Sequence, residues 1–188
     1  MYANETQQTQ INDFIALLKK WNDTYNLTSI TDDKEIYTQH ILDSLSIAEY
    51  LDGKKILDIG TGAGFPGIPL AIYFPEKQFT LLDSNGKKTR FLVQTISQLK
   101  LSNVIIVNAR AELWKTTEKF DDIVTRATMS AKDLIQSTTP LLKPNGYWLL
   151  MKGQHPELEL QEVAQPARVE RLNVPGLVDR NLIIIQHS

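Results

Sequence analysis

The sequence predicts an α/β fold: a mostly parallel, seven-stranded sheet with an antiparallel last strand, preceded by N-terminal helices. Three observations carry this expectation. Short apolar runs rich in Ile, Leu and Val alternate along the chain with segments of helical periodicity, the pattern of parallel strands joined by crossover helices. The first such run, Lys55-Ile56-Leu57-Asp58-Ile59, passes through a glycine loop, Gly60-Thr61-Gly62-Ala63-Gly64-Phe65, into a segment opened by Pro66 and Gly67. The last two runs, 169–174 and 181–186, are joined only by a short connection around Pro175-Gly176. A parallel pair needs a long crossover, so these two run antiparallel.

Bulk properties bound the problem. At 188 residues one domain, 1–188, is expected, with 1–50 as a helical appendage and 51–188 as the sheet core. No apolar run approaches the roughly 18 residues of a membrane span, and the polar start Asn4-Glu5-Thr6-Gln7-Gln8 lacks a signal-peptide pattern. There is no cysteine, which removes disulfides and thiolate metal sites and fits a cytoplasmic location. A net charge of −2 gives no global pull on nucleic acid, so any RNA site must be a local basic patch. A monomer is expected, with no membrane partner. His40, His155 and His187 lack clustered partners at ligand spacing, and no metal is expected.

Taken in order, Ile11, Phe14, Ile15, Leu18 and Trp21 recur at helical spacing and predict an amphipathic helix ending near Asn22-Asp23-Thr24. Residues 26–31 read as loop. A second helix starts at Asp32 or Asp33, either of which can cap it, and runs through Ile36, Ile41, Leu45 and Ala48. After the strand at 55–59 and the glycine loop, Pro66 suits the first turn of a short helix that Pro75 ends. The second strand, 78–82, closes at Asp83. A helix with a cationic start follows (Lys87, Lys88, Arg90), then a third strand at 104–107 and the loop Asn108-Ala109-Arg110-Ala111-Glu112. The fourth strand, 121–125, delivers Arg126 to the carboxyl end of the sheet, where such folds bind ligands. Residues 131–142 read as helix, Pro144-Asn145-Gly146 as a turn, 147–151 as the fifth strand before Lys152-Gly153, and 157–164 as a polar helix.

The glycine loop is the stretch that carries chemistry. Glycine accepts positive φ and has no Cβ, so the backbone turns tightly and approaches a ligand closely. From Gly62 the letters match G-x-G-x-x-G, a dinucleotide pattern that is weak alone. From Asp58 they give D-x-G-x-G-x-G. A carboxylate facing a pyrophosphate repels it, whereas S-adenosylmethionine carries an ammonium and a sulfonium and no phosphate, so an acid beside the loop suits it. A tight turn without a ligand is the plain alternative. Asp83 lies near the expected offset for an acid on ribose hydroxyls, and Asp83-Ser84-Asn85-Gly86 is equally rich in turn formers. The Lys87 helix reads either as a solvated face or as a phosphate contact.

The chain resembles the small-subunit ribosomal RNA methyltransferase G family, also called glucose-inhibited division protein B. The resemblance rests on Asn26-Leu27-Thr28, His40-Ile41-Leu42-Asp43-Ser44-Leu45, the Gly-Phe-Pro-Gly-Ile-Pro loop at 64–69 and Leu82-Asp83-Ser84. It continues through Lys87-Lys88, Phe91-Leu92, Arg110-Ala111-Glu112, Arg126-Ala127 and Lys152-Gly153. It implies a Rossmann-like class I S-adenosylmethionine-dependent methyltransferase fold and methylation of nitrogen 7 of one guanine in 16S ribosomal RNA, free or in the small ribosomal subunit. By the same resemblance Asp58, Gly60, Gly62 and Phe65 line the cofactor pocket, Asp83 meets the ribose, Ala111 and Glu112 the adenine side, and Arg126 closes the site. His40, Asp43, Lys87, Lys88 and Lys152 fall on or near the RNA cleft. Two departures remove potential phosphate contacts: Gln39 stands where the family has an arginine, and the chain ends Ile185-Gln186-His187-Ser188 without the usual lysine.

The chemistry asks for no base. Nitrogen 7 of guanine carries a lone pair and no proton, so methyl transfer to it is a direct displacement that depends on alignment. Arg126 is therefore expected to position rather than to move a proton. His40 reads equally as a packing histidine or a substrate contact. A nicotinamide oxidoreductase, a non-catalytic RNA-binding module and a small-molecule methyltransferase are the competing readings. The first leaves Asp58 and the closing strands unexplained.

Overall fold

The computed structural model of the chain describes residues 4–126, 129–154 and 156–187. Ala127, His155 and Ser188, which entered the reading above, lie outside the described residues. Helix α1 (Glu5–Tyr25) opens on a capping box: the Asn4 side chain accepts the Gln7 N–H and the Gln7 side chain accepts the Asn4 N–H. Its apolar stripe buries Ile11, Phe14, Leu17 and Leu18. Asp32 caps the second helix, accepting from the N–H groups of Lys34 and Glu35. That helix has three parts: α2 (Asp33–Ile36), a π-helical stretch Tyr37–Leu42, and α3 (Asp43–Leu45).

The rest alternates as the apolar pattern requires. In order come β1 (Lys55–Ile59), α4 (Gly67–Tyr73), β2 (Gln78–Asp83), α5 (Gly86–Leu99), β3 (Val104–Asn108) and β4 (Phe120–Arg126). Then follow α6 (Ala131–Thr138), β5 (Leu142–Lys152), α7 (Glu157–Leu160), β6 (Ala167–Arg171) and β7 (Asn181–Gln186). The strands form one seven-stranded sheet in the order β3-β2-β1-β4-β5-β7-β6. Strands β1 to β5 pair in parallel, while β7 is antiparallel to both β5 and β6. The order reverses between β1 and β4, so the crevice outside their carboxyl ends is the natural ligand position.

Both faces of the sheet are covered, which explains the continuous apolar runs. Ile56, Phe79, Leu81, Val124 and Leu149 pack with α1, α4 and α5 on one face. Leu57, Ile59, Leu82, Ile123 and Trp148 pack with α6 on the other. The N-terminal helices join the first core: Phe14 of α1 meets Phe65 of the glycine loop at 5.3 Å and Phe91 of α5 at 6.2 Å between ring centroids.

Several local expectations change. Pro66 is the N-cap of α4 rather than a residue of its first turn, and the Phe65–Pro66 peptide is cis. The helix expected over 131–142 stops at Thr138, because Pro140 lacks an N–H and disfavours helix at the residue before it; a 3₁₀ turn, Thr139–Leu141, follows. Pro144-Asn145-Gly146 is not a turn between elements but a bulge within β5, where the register with β4 jumps from Phe120↔Leu142 to Asp122↔Tyr147. The chain beyond β7 stabilises it: Asn145 N–H donates to His187 O and His187 N–H to Gly146 O. Gly146 is required there, since a Cβ would lie 2.5 Å from Asp121 O. The helix expected at 157–164 is one turn, α7, with no buried residue to extend it. The sixth strand lies at 167–171 rather than 169–174.

Candidate functional site

Two adjoining regions meet at the carboxyl ends of the strands. The first is the glycine loop after β1. Its backbone is pinned to β2, with the N–H groups of Gly60 and Thr61 both donating to Leu82 O. Gly60, Gly62 and Gly64 have φ of 68°, 63° and 96°, values that disfavour any side chain. A Cβ on Gly62 would meet only Gly60 O and Lys88 Nζ, each at 3.8 Å, so the loop presents bare backbone there. Asp83 at the end of β2 does two things. Its Oδ2 accepts the Gly62 N–H at 2.9 Å and its Oδ1 the Asn85 N–H at 2.8 Å. The turn-forming role is thus real, and the carboxylate also lies against the loop with lone pairs to spare for hydroxyl donors.

Asp58 departs from expectation. It is fully buried, and its Oδ2 accepts the Gly67 N–H at 2.9 Å at the start of α4. It holds the loop to the helix from beneath and presents no surface to the crevice. Burial raises its pKa to about 7, opposed by the Thr61 hydroxyl, the Gly67 N–H and Arg126. The Thr61 hydroxyl is near enough to act on that charge, yet neither Asp58 Oδ1 nor Thr61 Oγ1 has a hydrogen bond of ordinary geometry. Gly67 is needed for this contact, since a Cβ there would lie 2.7 Å from Asp58 Oδ2 and 2.2 Å from a Leu81 methyl.

The second region is built on Arg126 at the end of β4. Its guanidinium is a fork into the π-helical stretch: Nη1 donates to Gln39 O at 3.2 Å and to Asp43 Oδ2 at 3.4 Å, and Nη2 lies 3.3 Å from His40 Nδ1. Its Cζ is 5.0 Å from the centre of the Phe65 ring. His40 stacks on the same ring at 4.4 Å. His40 Nδ1 also lies 3.2 Å from Gln39 O, and its Nε2 faces Thr28 Oγ1 at 2.9 Å. Burial and then the Arg126 charge push the His40 pKa down to about 4, so the ring is neutral at physiological pH. Asp43 also accepts from Arg180 Nε at 3.0 Å. Burial raises the pKa of Asp43 and lowers that of Arg126, in each case against the pull of the partner. The cluster is therefore held for its geometry more than for stability.

A cavity of about 260 Å³ opens beside this cluster, lined by His40, Asp43, Arg126, Lys152 and Arg180 with Ile30, Met151 and Leu172 among its walls. A wider groove of about 790 Å³ between α1 and α2, lined by Asn12, Ile15, Lys19 and Tyr37 among others, touches none of the strand ends and has no link to this chemistry.

Gly60, Gly62, Phe65, Asp83 and Arg126 converge, and His40, Asp43 and Lys152 line the adjoining cavity. Lys152 is not a free cation there: its Nζ donates to Met129 O at 2.7 Å and pairs with Glu159 at 2.8 Å. Lys88 reaches over the glycine loop, whereas Lys87 is exposed. Ala111 is buried after β3, and Glu112 is exposed, 3.9 Å from Arg110. Arg180 and the Gln39 carbonyl were missed. Arg180 was findable: β7 runs antiparallel to β5, so its first residues must lie beside the carboxyl end of β5, and Lys152 pairs with Asn181. Among the described residues no group of three or more His, Asp or Glu is placed to hold a metal, and no helix is long and apolar enough to cross a membrane.

Known proteins resemble this chain in sequence and in fold. The model of a family described as rRNA small subunit methyltransferase G matches residues 7–183. The ribosomal RNA small subunit methyltransferase G of Coxiella burnetii is 50% identical over 185 residues, covering 98% of this chain and 91% of that protein. That of Hydrogenovibrio crunogenus is 48% identical over 187 residues, covering 97% and 87%. Among solved structures, a SAM-dependent methyltransferase from Aquifex aeolicus aligns with a TM-score of 0.63 at 18% identity, covering 84% of this chain and 95% of that one. The S-adenosylmethionine-dependent methyltransferase SibL aligns at 0.66 and 14% identity, covering 95% and 69%. At those identities the structures speak for the fold, which is the class I S-adenosylmethionine-dependent methyltransferase fold. The match of nearly the whole chain to the family, with half its residues shared with a relative, settles the remaining question: the chain belongs to the rRNA small subunit methyltransferase G family.

Proposed function

We propose that the chain transfers a methyl group from S-adenosylmethionine to nitrogen 7 of a guanine in 16S ribosomal RNA. The observation that carries this reading is the match of residues 7–183 to the rRNA small subunit methyltransferase G family, on a chain whose glycine loop and Arg126 meet at the carboxyl ends of the strands. The histidine of the site, His40, is a weak base, its pKa pushed down to about 4 by burial and then by the Arg126 charge, and both its ring nitrogens face partners. That suits an acceptor with no proton to lose.

The residues present fit the cofactor. The bare backbone at Gly62, the positive φ values and the Asp83 carboxylate form a cradle that a Cβ would fill. Gly60, Gly62 and Phe65 would line it, Asp83 would accept from ribose hydroxyls, and Ala111 with Glu112 would border the adenine. Asp58 acts from beneath by holding the loop. S-adenosylmethionine supplies an electrophilic methyl group. Arg126 and Phe65 form the wall between cradle and cavity, and Arg126 positions rather than reacts. Orientation of this kind is worth up to roughly 7–11 kcal/mol. His40, Asp43 and Lys152 border the substrate cavity, while Lys87 offers an exposed cation for phosphate.

The full chain serves as one functional unit, the helical layer 1–50 completing the site of the 51–188 core through Gln39, His40 and Asp43. One copy supplies every group invoked here, so we take it to act as a monomer, in the cytoplasm where ribosomes assemble. The test is methyl transfer from labelled S-adenosylmethionine to small-subunit RNA and to subunit particles from cells lacking this protein, followed by nucleoside analysis. Label in 7-methylguanosine at one site is expected. Label in another nucleoside, or none in either substrate, overturns the reading.

A further inference from the structure

Arg180 has no part in the cofactor cradle and was not singled out by any motif. It sits just before β7, in the connection that follows Pro175-Gly176. Its Nε donates to Asp43 Oδ1 at 3.0 Å, and Arg126 Nη1 reaches Asp43 Oδ2 at 3.4 Å. One buried carboxylate thus fixes two guanidinium groups that both line the 260 Å³ cavity. The other cations of that lining are engaged. Arg126 spends its donors on Gln39 O, Asp43 and His40, and Lys152 on Met129 O and Glu159. Asn181 donates to Gly153 O. Among the described residues, the Nη groups of Arg180 carry no hydrogen bond, and its side chain is 30% exposed.

The cavity therefore offers apolar walls from Ile30, Met151 and Leu172 and one planar, pre-oriented donor pair. A phosphate would demand several unpaired cations and gain nothing from apolar walls. A flat base with an acceptor on its edge matches. Guanine presents O6 and N7 side by side on one edge, and adenine replaces the O6 acceptor by an amino donor.

We propose that Arg180 is a specificity-determining residue that reads guanine O6 and thereby sets N7, its neighbour on that edge, toward the cofactor cradle. The proposal rests on the guanine-N7 reading above. Asp43 is the positioning residue that holds the Arg180 guanidinium by Nε and leaves the Nη groups for the base. A donor on O6 leaves the N7 lone pair free, as the transfer needs. It also excludes adenine, whose amino group would face the guanidinium donor to donor.

The experiment compares two RNAs that differ at the target base: guanine, and 2-aminopurine, which keeps N7 and lacks O6. The wild-type protein should lose about 10- to 100-fold in kcat/KM on the 2-aminopurine RNA, the size of one hydrogen bond from a charged donor. In Arg180→Met that penalty should fall to within about twofold, while S-adenosylmethionine affinity stays unchanged. A base contact made by another group, such as one to N1–H, would leave the penalty intact in the variant. An undiminished penalty in Arg180→Met with lower rates on both RNAs makes Arg180 a structural tie and overturns the proposal, as does a wild-type protein indifferent to O6. If Arg180→Met does not fold, Arg180→Lys keeps a cation beside Asp43 but not the fork, and a penalty equal to wild type in that variant overturns the proposal too. If a variant turns over neither RNA, competition between the two RNAs for binding supplies the same ratio. Failure of the underlying reading looks different: the wild-type protein then methylates no guanine N7 in either RNA.

Discussion

At the scale of single residues, three buried ionisable groups act by opposite electrostatics. Asp58 and Asp122 are carboxylates whose pKa values burial raises to about 7 and about 6, whereas His40 is lowered to about 4. An acid with a raised folded pKa binds its proton in the native state before the unfolded chain does. Its stabilising effect is therefore complete below about 4 and lost as pH climbs through its folded value. A histidine with a lowered pKa does the reverse and costs stability as pH falls from 6.5 toward 4. Asp58→Asn keeps an acceptor for Gly67 N–H and removes the titration. The stability difference between wild type and this variant, followed by chemical denaturation, should move in favour of the variant between pH 4 and 7 and level off above; a flat difference would mean that Asp58 is charged throughout. The same logic sets a catalytic expectation. With His40 neutral down to about pH 4, the rate should show no inflection near pH 6.5 that His40→Phe abolishes, whereas a general base would produce one. Asp43→Ala should cost about 3–5 kcal/mol of stability in a denaturant titration, because it leaves two guanidinium groups without their shared carboxylate.

At the scale of elements, the glycine loop and the π-helical stretch matter most. Strand β1 and helix α4 approach so closely that only glycine fits at position 67, and Gly67→Ala should destabilise the fold by about 1–3 kcal/mol through overpacking against Leu81. Gly62 differs: the space beside it is open, but its φ of 63° is hostile to a branched side chain. Gly62→Val should therefore act on the cradle, abolishing or severely weakening S-adenosylmethionine binding in a calorimetric titration. Asp83→Ala should do the same by removing the acceptor that orients Gly62 N–H. The π-helical stretch Tyr37–Leu42 lies where the Gln39 carbonyl, His40 and, just past it, Asp43 all reach the Arg126 fork. Such turns recur at functional sites. Nothing in the apolar spacing of Ile36, Ile41 and Leu45 distinguishes this stretch from an ordinary helix.

At the scale of the whole molecule, a net charge of −2 must coexist with an RNA substrate. The two lysines at the start of α5 divide that task. Lys87 is exposed and suited to a phosphate, and Lys88 leans over Gly62. RNA binding should weaken with rising salt, and Lys87→Gln should reduce the salt slope by about one unit without changing cofactor affinity. Lys88→Gln should instead alter S-adenosylmethionine affinity. Salt-insensitive RNA binding would count against a phosphate-lined cleft.

The sequence by itself determined the sheet, the order of its elements and the place where chemistry gathers. Apolar runs buried on both faces, a D-x-G-x-G-x-G loop and a closing pair too short for a crossover are local signals, written over a few residues each. Only tertiary structure decided what the charged residues do. Asp58 reads as a ligand contact until α4 is seen to cover it, and Lys152 reads as a free cation until Glu159 of α7 is placed beside it. Arg180 became part of the site because an antiparallel β7 returns its first residues to the carboxyl edge, 137 positions from the Asp43 it bonds. Periodicity and turn chemistry depend on neighbours in the chain. The charge state and partner of a buried side chain depend on neighbours in space, and those are set only when the sheet has closed over them.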